Sequence, residues 1–316
     1  MNRTLRIVFM GTPDFAVETL KSIHEKGYEI AGVITAPDRP AGRGQKLRMS
    51  AVKQYALDHG LKVLQPTNLK DETFLEELRA LEANLQVVVA FRMLPEAVWS
   101  MPAFGTFNLH ASLLPDYRGA APINWAVING ETVTGATTFF IDDKIDTGAI
   151  ILNEEIPIGP EEDAGSLHDR LMVMGANLVI RTLERIEKGE VSTTPQPKVE
   201  QEKKAYKLNK ENCKIQWDQP VALTHNLIRG LSPYPGAWAN FHHNNKKEQV
   251  KIFSSKIADR SQPATPGMPV SEGGSLYIAC KDGWLEILEM QLPGKRRMQV
   301  KDILNGLHLE REDKFS

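Results

Sequence analysis

Asn108 and His110 stand two residues apart in the segment FGTFNLHASLLPDYRGAAPINWAVIN, residues 104–129. If residues 106–110 form a strand, period-two geometry puts both side chains on one face. A primary amide beside an imidazole can donate hydrogen bonds to an oxygen that gains negative charge. A carboxylate completes the set: Asp146 opens an Asp-Thr-Gly turn in which Gly148 lets the chain bend sharply. Together these groups suit acyl transfer from a carrier to an amine. Asn108 and a protonated His110 would hold the oxyanion of a tetrahedral intermediate. Asp146 would favour the imidazolium by charge attraction and accept, directly or through water, the proton that the amine loses. No Ser or Cys with an adjacent base is evident, so direct transfer without an acyl-enzyme is expected. Singly, each residue has a blander reading: a hydrogen-bonded core histidine, a turn-capping aspartate.

The elements that must position this trio alternate. Residues 6–10 (RIVFM) read as a strand, followed by Gly11, with Thr12 as N-cap and Pro13 at the first helical position. Residues 28–35, 62–64, 85–91 and 106–110 read as further strands, and residues 51–59 (capped by Ser50) and 73–83 as helices. Such alternation predicts an α/β fold, a doubly wound and mostly parallel Rossmann-like sheet, with its site beyond the carboxyl ends of the strands. Strands over 137–142 and 149–156 precede a long helix over 164–188. The polar stretch 190–208 has linker composition. Beyond it come a helix over 221–231 and short strands near 249–253, 275–279 and 284–290, which a small β-barrel would close. The expected division is therefore a domain over 1–189, a linker over 190–208 and a second domain over 209–316.

Cys213 and Cys280 are the only cysteines, and no Cys/His ligand spacing occurs, so neither a disulfide scaffold nor a structural zinc is expected. The first apolar run is too short for a signal peptide and residues 87–89 too short for a span; a cytoplasmic protein without metal or membrane is expected. Residues 1–208 carry 23 Lys/Arg against 28 Asp/Glu, and residues 209–316 carry 15 against 12. A mildly basic C-terminal part on an acidic body is compatible with nucleic-acid binding.

Asn108, His110, the loop 112–115 and Asp146 resemble the signature of the folate-dependent formyltransferases. FMGTPDFA (9–16), PDRPAGRGQKL (37–47), IRGLSPYPGAW (228–238) and LPGKRRMQVKDILN (292–305) resemble the branch of that family whose acceptor is methionyl initiator tRNA. The resemblance implies transfer of the formyl group of 10-formyltetrahydrofolate to the amino group of that charged tRNA, for translation initiation. It makes Asn108, His110 and Asp146 catalytic and puts Ser112, Leu113, Leu114 and Pro115 against the folate. Phe91, Met93 and Leu94 would wall the pterin. Residues 90–95 (AFRMLP) depart from the usual family pattern by one residue fewer and by Arg92, and residues 141–145 before Asp146 are more charged than is usual. The resemblance also implies that the second domain is a small barrel similar to an OB-fold, and a monomer is expected.

The RNA side has its own physical logic. Arg39, Arg43, Lys46, Arg48 and Lys53 crowd residues 38–53 against the single acid Asp38, with Gly42 and Gly44 making the loop pliable. The resemblance implies insertion of this loop against the tRNA acceptor end, with Arg43 foremost. Lys203, Lys204, Lys207 and Lys210, and Lys295, Arg296, Arg297 and Lys301, could track the backbone; taken singly, surface solvation is the simpler reading of each. Sugar-nucleotide and glycinamide ribonucleotide formyltransferases and formyltetrahydrofolate hydrolases share the trio. A non-catalytic nucleotide- and RNA-binding module is the more distant alternative. A dehydrogenase is disfavoured because Gly11-Thr12-Pro13 replaces the Gly-x-Gly-x-x-Gly turn.

Overall fold

The computed structural model of the protein describes residues 3–41 and 46–316, which divide into two compact units. The first comprises residues up to 119 with 134–156 and 168–203; the second comprises 120–133, 157–167 and 204–316. Two short segments, 120–133 and 157–167, thus leave the first unit and group with the C-terminal one. Most of the stretch 190–208, expected as a linker, groups with the first: Thr194 exchanges backbone hydrogen bonds with Ile150 at 2.8 and 2.9 Å.

The first unit is built on a seven-stranded sheet in the order Ile150–Pro157, Val133–Phe140, Thr106–His110, Leu85–Val89, Arg6–Gly11, Glu29–Ile34, Val63–Leu64. Arg6–Gly11 pairs in parallel with Glu29–Ile34 on one side and Leu85–Val89 on the other. Leu85–Val89 pairs in parallel with Thr106–His110, which pairs antiparallel with Val133–Phe140. The chain therefore winds outward in both directions from Arg6–Gly11, as a doubly wound sheet requires. Ile7, Val8, Phe9, Met10, Val87 and Val89 are buried, as their near-continuous apolar runs demand.

Helices begin where local chemistry permits. Ser50 caps Ala51–Asp58 by accepting the Lys53 N–H at 3.0 Å, and Asp71 caps Glu72–Arg79 by accepting the Phe74 N–H at 3.2 Å. The first helix departs from expectation. It spans Asp14–Glu25, and Pro13 rather than Thr12 occupies the N-cap, with no side-chain cap bond. Pro13 has an extended ψ of 175°, so the helical turn starts one residue later. Ala164–Lys188 forms the long helix where it was expected. The helix Pro122–Ile128 was not foreseen.

The second unit is a curled antiparallel sheet in the order Pro269–Glu272, Ser275–Ala279, Trp284–Gln291, Lys246–Ala258, Ala237–His243, Lys314–Phe315, with Met298–Gln299 added to Trp284–Gln291. The order does not return to its first strand, so this is an OB-like half-barrel rather than a closed one. Lys246–Ala258 curls because its register shifts at Ser254 and Ser255. Ile215, Ile228, Leu231, Val250, Ile252, Ile278, Leu285, Ile287 and Met290 form its core.

Candidate active site

The strand Thr106–His110 buries Phe107 and Leu109 on one face and turns Asn108 and His110 to the other. Asn108 is half-buried, and no protein hydrogen bond takes its amide among the described residues. His110 is buried, with its Nε2 2.8 Å from the Tyr117 carbonyl oxygen. A carbonyl only accepts, so Nε2 carries a proton. Nδ1 then faces Asp146, whose Oδ2 lies 3.8 Å away, beyond hydrogen-bond length.

The loop after His110 is locked by its own polar groups. The Ser112 hydroxyl donates to the Asp116 carbonyl at 2.6 Å, and the Thr137 hydroxyl donates to the Ser112 carbonyl at 2.7 Å. The Leu114 N–H reaches Thr137 Oγ1 at 3.2 Å. Tyr117 has a left-handed φ of 60°, and its N–H donates to the Lys203 carbonyl at 2.6 Å. That conformation presents the Tyr117 carbonyl to His110 and so sets the plane of the imidazole.

Asp146 also has a left-handed φ, 55°, at the tip of a loop that binds itself through Asp142, which accepts from the Lys144 N–H and the Thr147 hydroxyl. The Gly119 N–H donates to Asp146 Oδ2 at 3.0 Å. Arg118 Nε and Gln196 Nε2 donate to its backbone carbonyl at 3.0 and 2.9 Å. Gly148 could not be another residue: a Cβ there would lie 1.7 Å from the Phe140 carbonyl oxygen. The loop tip is thereby held against the sheet, and Asp146 meets His110.

Of the expected folate contacts, Leu113 and Pro115 are half-buried and keep surface, whereas Ser112 and Leu114 are buried within the loop. Phe91 is half-buried and Met93 is 67% exposed, but Leu94 lies in the core with Val8, Met10 and Val88. Arg92, which departs from the family pattern, donates to the Pro66 and Thr67 carbonyls. Burial, and then the charge of Arg39, hold its guanidinium below the usual range. Residues 92–97 and 67–70, with Leu75, line a cavity of about 680 Å³. Among the described residues no three His, Cys, Asp or Glu side chains converge as a metal site, and no helix is long and apolar enough to cross a membrane.

The basic loop is more ordered at its base than its composition suggests. Arg39–Ala41 and Lys46–Arg48 pair antiparallel, with Arg39 directly opposite Arg48 and both exposed. Arg43 lies outside the described residues. Lys53 is committed to Asp38 at 2.6 Å, and hydrogen bonds from Lys53 and Gln65 hold that carboxylate below its usual range. In the second unit Lys207, Lys295 and Arg296 are exposed, while Arg297 is paired with Glu289 and lies over the Phe253 ring at 4.7 Å.

Arg118, Gln196 and Glu202 went unnoticed in the sequence, although they brace Asp146. Gln196 alone carried a signal. Pro195 and Pro197 flank it, and a residue before proline is pushed into extended backbone.

The formyl transferase family model matches residues 5–183, and the model of the formyl transferase C-terminal domain matches residues 207–308. The methionyl-tRNA formyltransferase of Flavobacterium johnsoniae is 60% identical over 98% of both chains, and that of Bacteroides fragilis is 53% identical over 96% of both. Among solved structures, the N-formyltransferase of Helicobacter canadensis, in complex with folinic acid and a dTDP-aminosugar, has a TM-score of 0.64 at 21% identity, over 93% of this chain and all of that one. HypX of Aquifex aeolicus in complex with tetrahydrofolic acid has a TM-score of 0.66 at 17% identity, over 99% of this chain and 51% of that one. These two show a shared fold.

Proposed function

The chain belongs to the formyl transferase family, and on that premise we propose that it transfers the formyl group of 10-formyltetrahydrofolate to the amino group of methionyl initiator tRNA, for translation initiation. The names of its near full-length relatives support that acceptor. The observation that carries the chemistry is the uncommitted Asn108 amide beside a His110 whose ring is set by Tyr117 and faced by Asp146.

The amine of the methionyl group attacks the formyl carbon, and the C–N bond forms as the carbonyl electron pair moves onto oxygen. Asn108 and protonated His110 stabilise that oxyanion as donors already fixed in place before the charge develops. Asp146 accepts the proton that the ammonium loses. Collapse of the intermediate expels the folate N10, which takes up a proton and leaves tetrahydrofolate. Phe91, Met93, Leu113 and Pro115 supply half-buried or exposed apolar surface for the donor's rings. The directly opposed Arg39 and Arg48 are a like-charge pair that costs stability until an anion neutralises it, which favours a phosphate-bearing partner. Lys46, Lys207, Lys295 and Arg296 add to the RNA contacts. In this reading the first unit carries catalysis, the second engages tRNA, and the enzyme works as a cytoplasmic monomer without metal.

The deciding experiment follows labelled formyl from 10-formyltetrahydrofolate to methionyl initiator tRNA, with uncharged tRNA and a sugar-nucleotide amine in parallel. Label on the charged tRNA alone is expected. Label on the sugar amine, or free formate only, would overturn the proposed acceptor.

A further inference from the structure

Asp146 is held by a polar brace that reaches well beyond its own turn. A left-handed φ disfavours a non-glycine residue, so the surrounding contacts must over-determine it. Gln196 Nε2 donates to the Asp146 carbonyl and to the Gly148 carbonyl, each at 2.9 Å. At the other end of the same amide, Gln196 Oε1 accepts from Arg118 Nη2 at 2.6 Å and Nε at 3.1 Å. Arg118 Nε also donates to the Asp146 carbonyl, and its Nη1 meets Glu202 at 2.6 Å. Arginine only donates and carbonyls only accept, so a single orientation of the Gln196 amide satisfies every contact. A glutamate at this position would keep the arginine but turn acceptor oxygens toward two carbonyls.

We infer that Gln196, with Arg118, is a positioning residue for the Asp146 carboxylate. The inference rests on the proposed catalytic role of Asp146. It makes residues 194–202, spacer-like in composition, part of the scaffold of the reacting centre. The carboxylate can favour the imidazolium and take the amine's proton only from a fixed position close to both. Releasing the two carbonyls lets the loop tip drift from His110 while leaving the substrate contacts in place.

The test compares Gln196→Glu, the similarly sized but apolar Gln196→Met, Asp146→Asn and the Gln196→Glu/Asp146→Asn double variant. It measures kcat, both KM values and thermal midpoints in the formyl-transfer assay. Each Gln196 variant is expected to lower kcat about a hundredfold, as small misplacements of reacting groups do, with KM unchanged within about threefold. The double variant should be no slower than Asp146→Asn, because Gln196 acts through that carboxylate. Should Gln196→Glu fail to fold, as its thermal midpoint will show, Gln196→Met and its combination with Asp146→Asn carry the comparison. Losses that multiply in the double variant, or full kcat in a folded Gln196 variant, overturn the inference and leave the role of Asp146 intact. Full activity of Asp146→Asn overturns both.

Discussion

Replacing Asp146 by Asn removes one charge while keeping the shape of the side chain. Its remaining oxygen can still accept the Gly119 N–H, which Asp146 Oδ2 accepts at 3.0 Å, so the loop should persist. What is lost is the proton acceptor and, with it, the attraction between the carboxylate and a protonated His110, whose Nδ1 lies 3.8 Å away. The two side chains are only 17% and 7% exposed, so bulk water screens the pair little. With an effective dielectric of about 20, two unit charges at that separation interact by about 4 kcal/mol. At about 1.4 kcal/mol per decade, removing that stabilisation from the transition state lowers kcat by about a thousandfold. The assay is single-turnover formyl transfer at saturating donor and acceptor, with folate affinity measured separately. Unchanged folate affinity and a slow chemical step are the expected result. A kcat within about tenfold of the parent, or a defect confined to KM, would refute the charge argument.

Gly148→Ala puts a Cβ 1.7 Å from the Phe140 carbonyl oxygen, so the backbone must move by about 1 Å or more. The expected results are an about hundredfold lower kcat and a stability loss of about 1–3 kcal/mol, read by turnover and by urea unfolding; a fully active variant would show that the tight approach of this turn is dispensable. His225 is buried between Ser255, Glu161 and Arg229, and burial above all lowers its pKa, with Glu161 opposing and Arg229 adding to the shift. Because the unfolded chain takes up this proton first, stability is complete above about pH 6.5 and falls as pH drops from there toward the folded pKa. The thermal midpoint of His225→Gln should therefore fall less between pH 7.5 and 5.5 than that of the parent; parallel profiles would count against this. Affinity for tRNA should decline steeply with salt, and Arg39→Ala/Arg48→Ala should flatten the log–log slope by roughly 1.5–2, since each phosphate neutralised contributes about 0.9. An unchanged slope would remove the ribbon from the RNA interface.

Much of the first unit could be read from the chain because its signals are local. Near-continuous apolar runs in Arg6–Gly11 and Leu85–Val89 belong to strands buried on both faces, and Ser50 marked a helix start through a bond to a residue three positions away. Thr12 misled for a local reason as well: it has a capping side chain, yet the extended Pro13 moved the helix start past it. The helix Pro122–Ile128 was hidden in a stretch rich in Pro, Gly and Ala, where turn signals and helix signals coincide.

By itself the sequence determined that Asn108 and His110 share a face, since side-chain alternation along a strand needs no partner to operate. It also determined that a glycine stands two residues after Asp146 and that the basic residues cluster beside Asp38. Only the tertiary structure decided that Asp146 faces His110, that Lys53 is spent on Asp38 and Arg297 on Glu289, and that Gln196 braces a loop fifty residues away. The physical reason is range. Periodicity and capping act within a turn or two of the backbone, whereas hydrogen bonds and ion pairs between distant segments exist only once the sheet has brought those segments together.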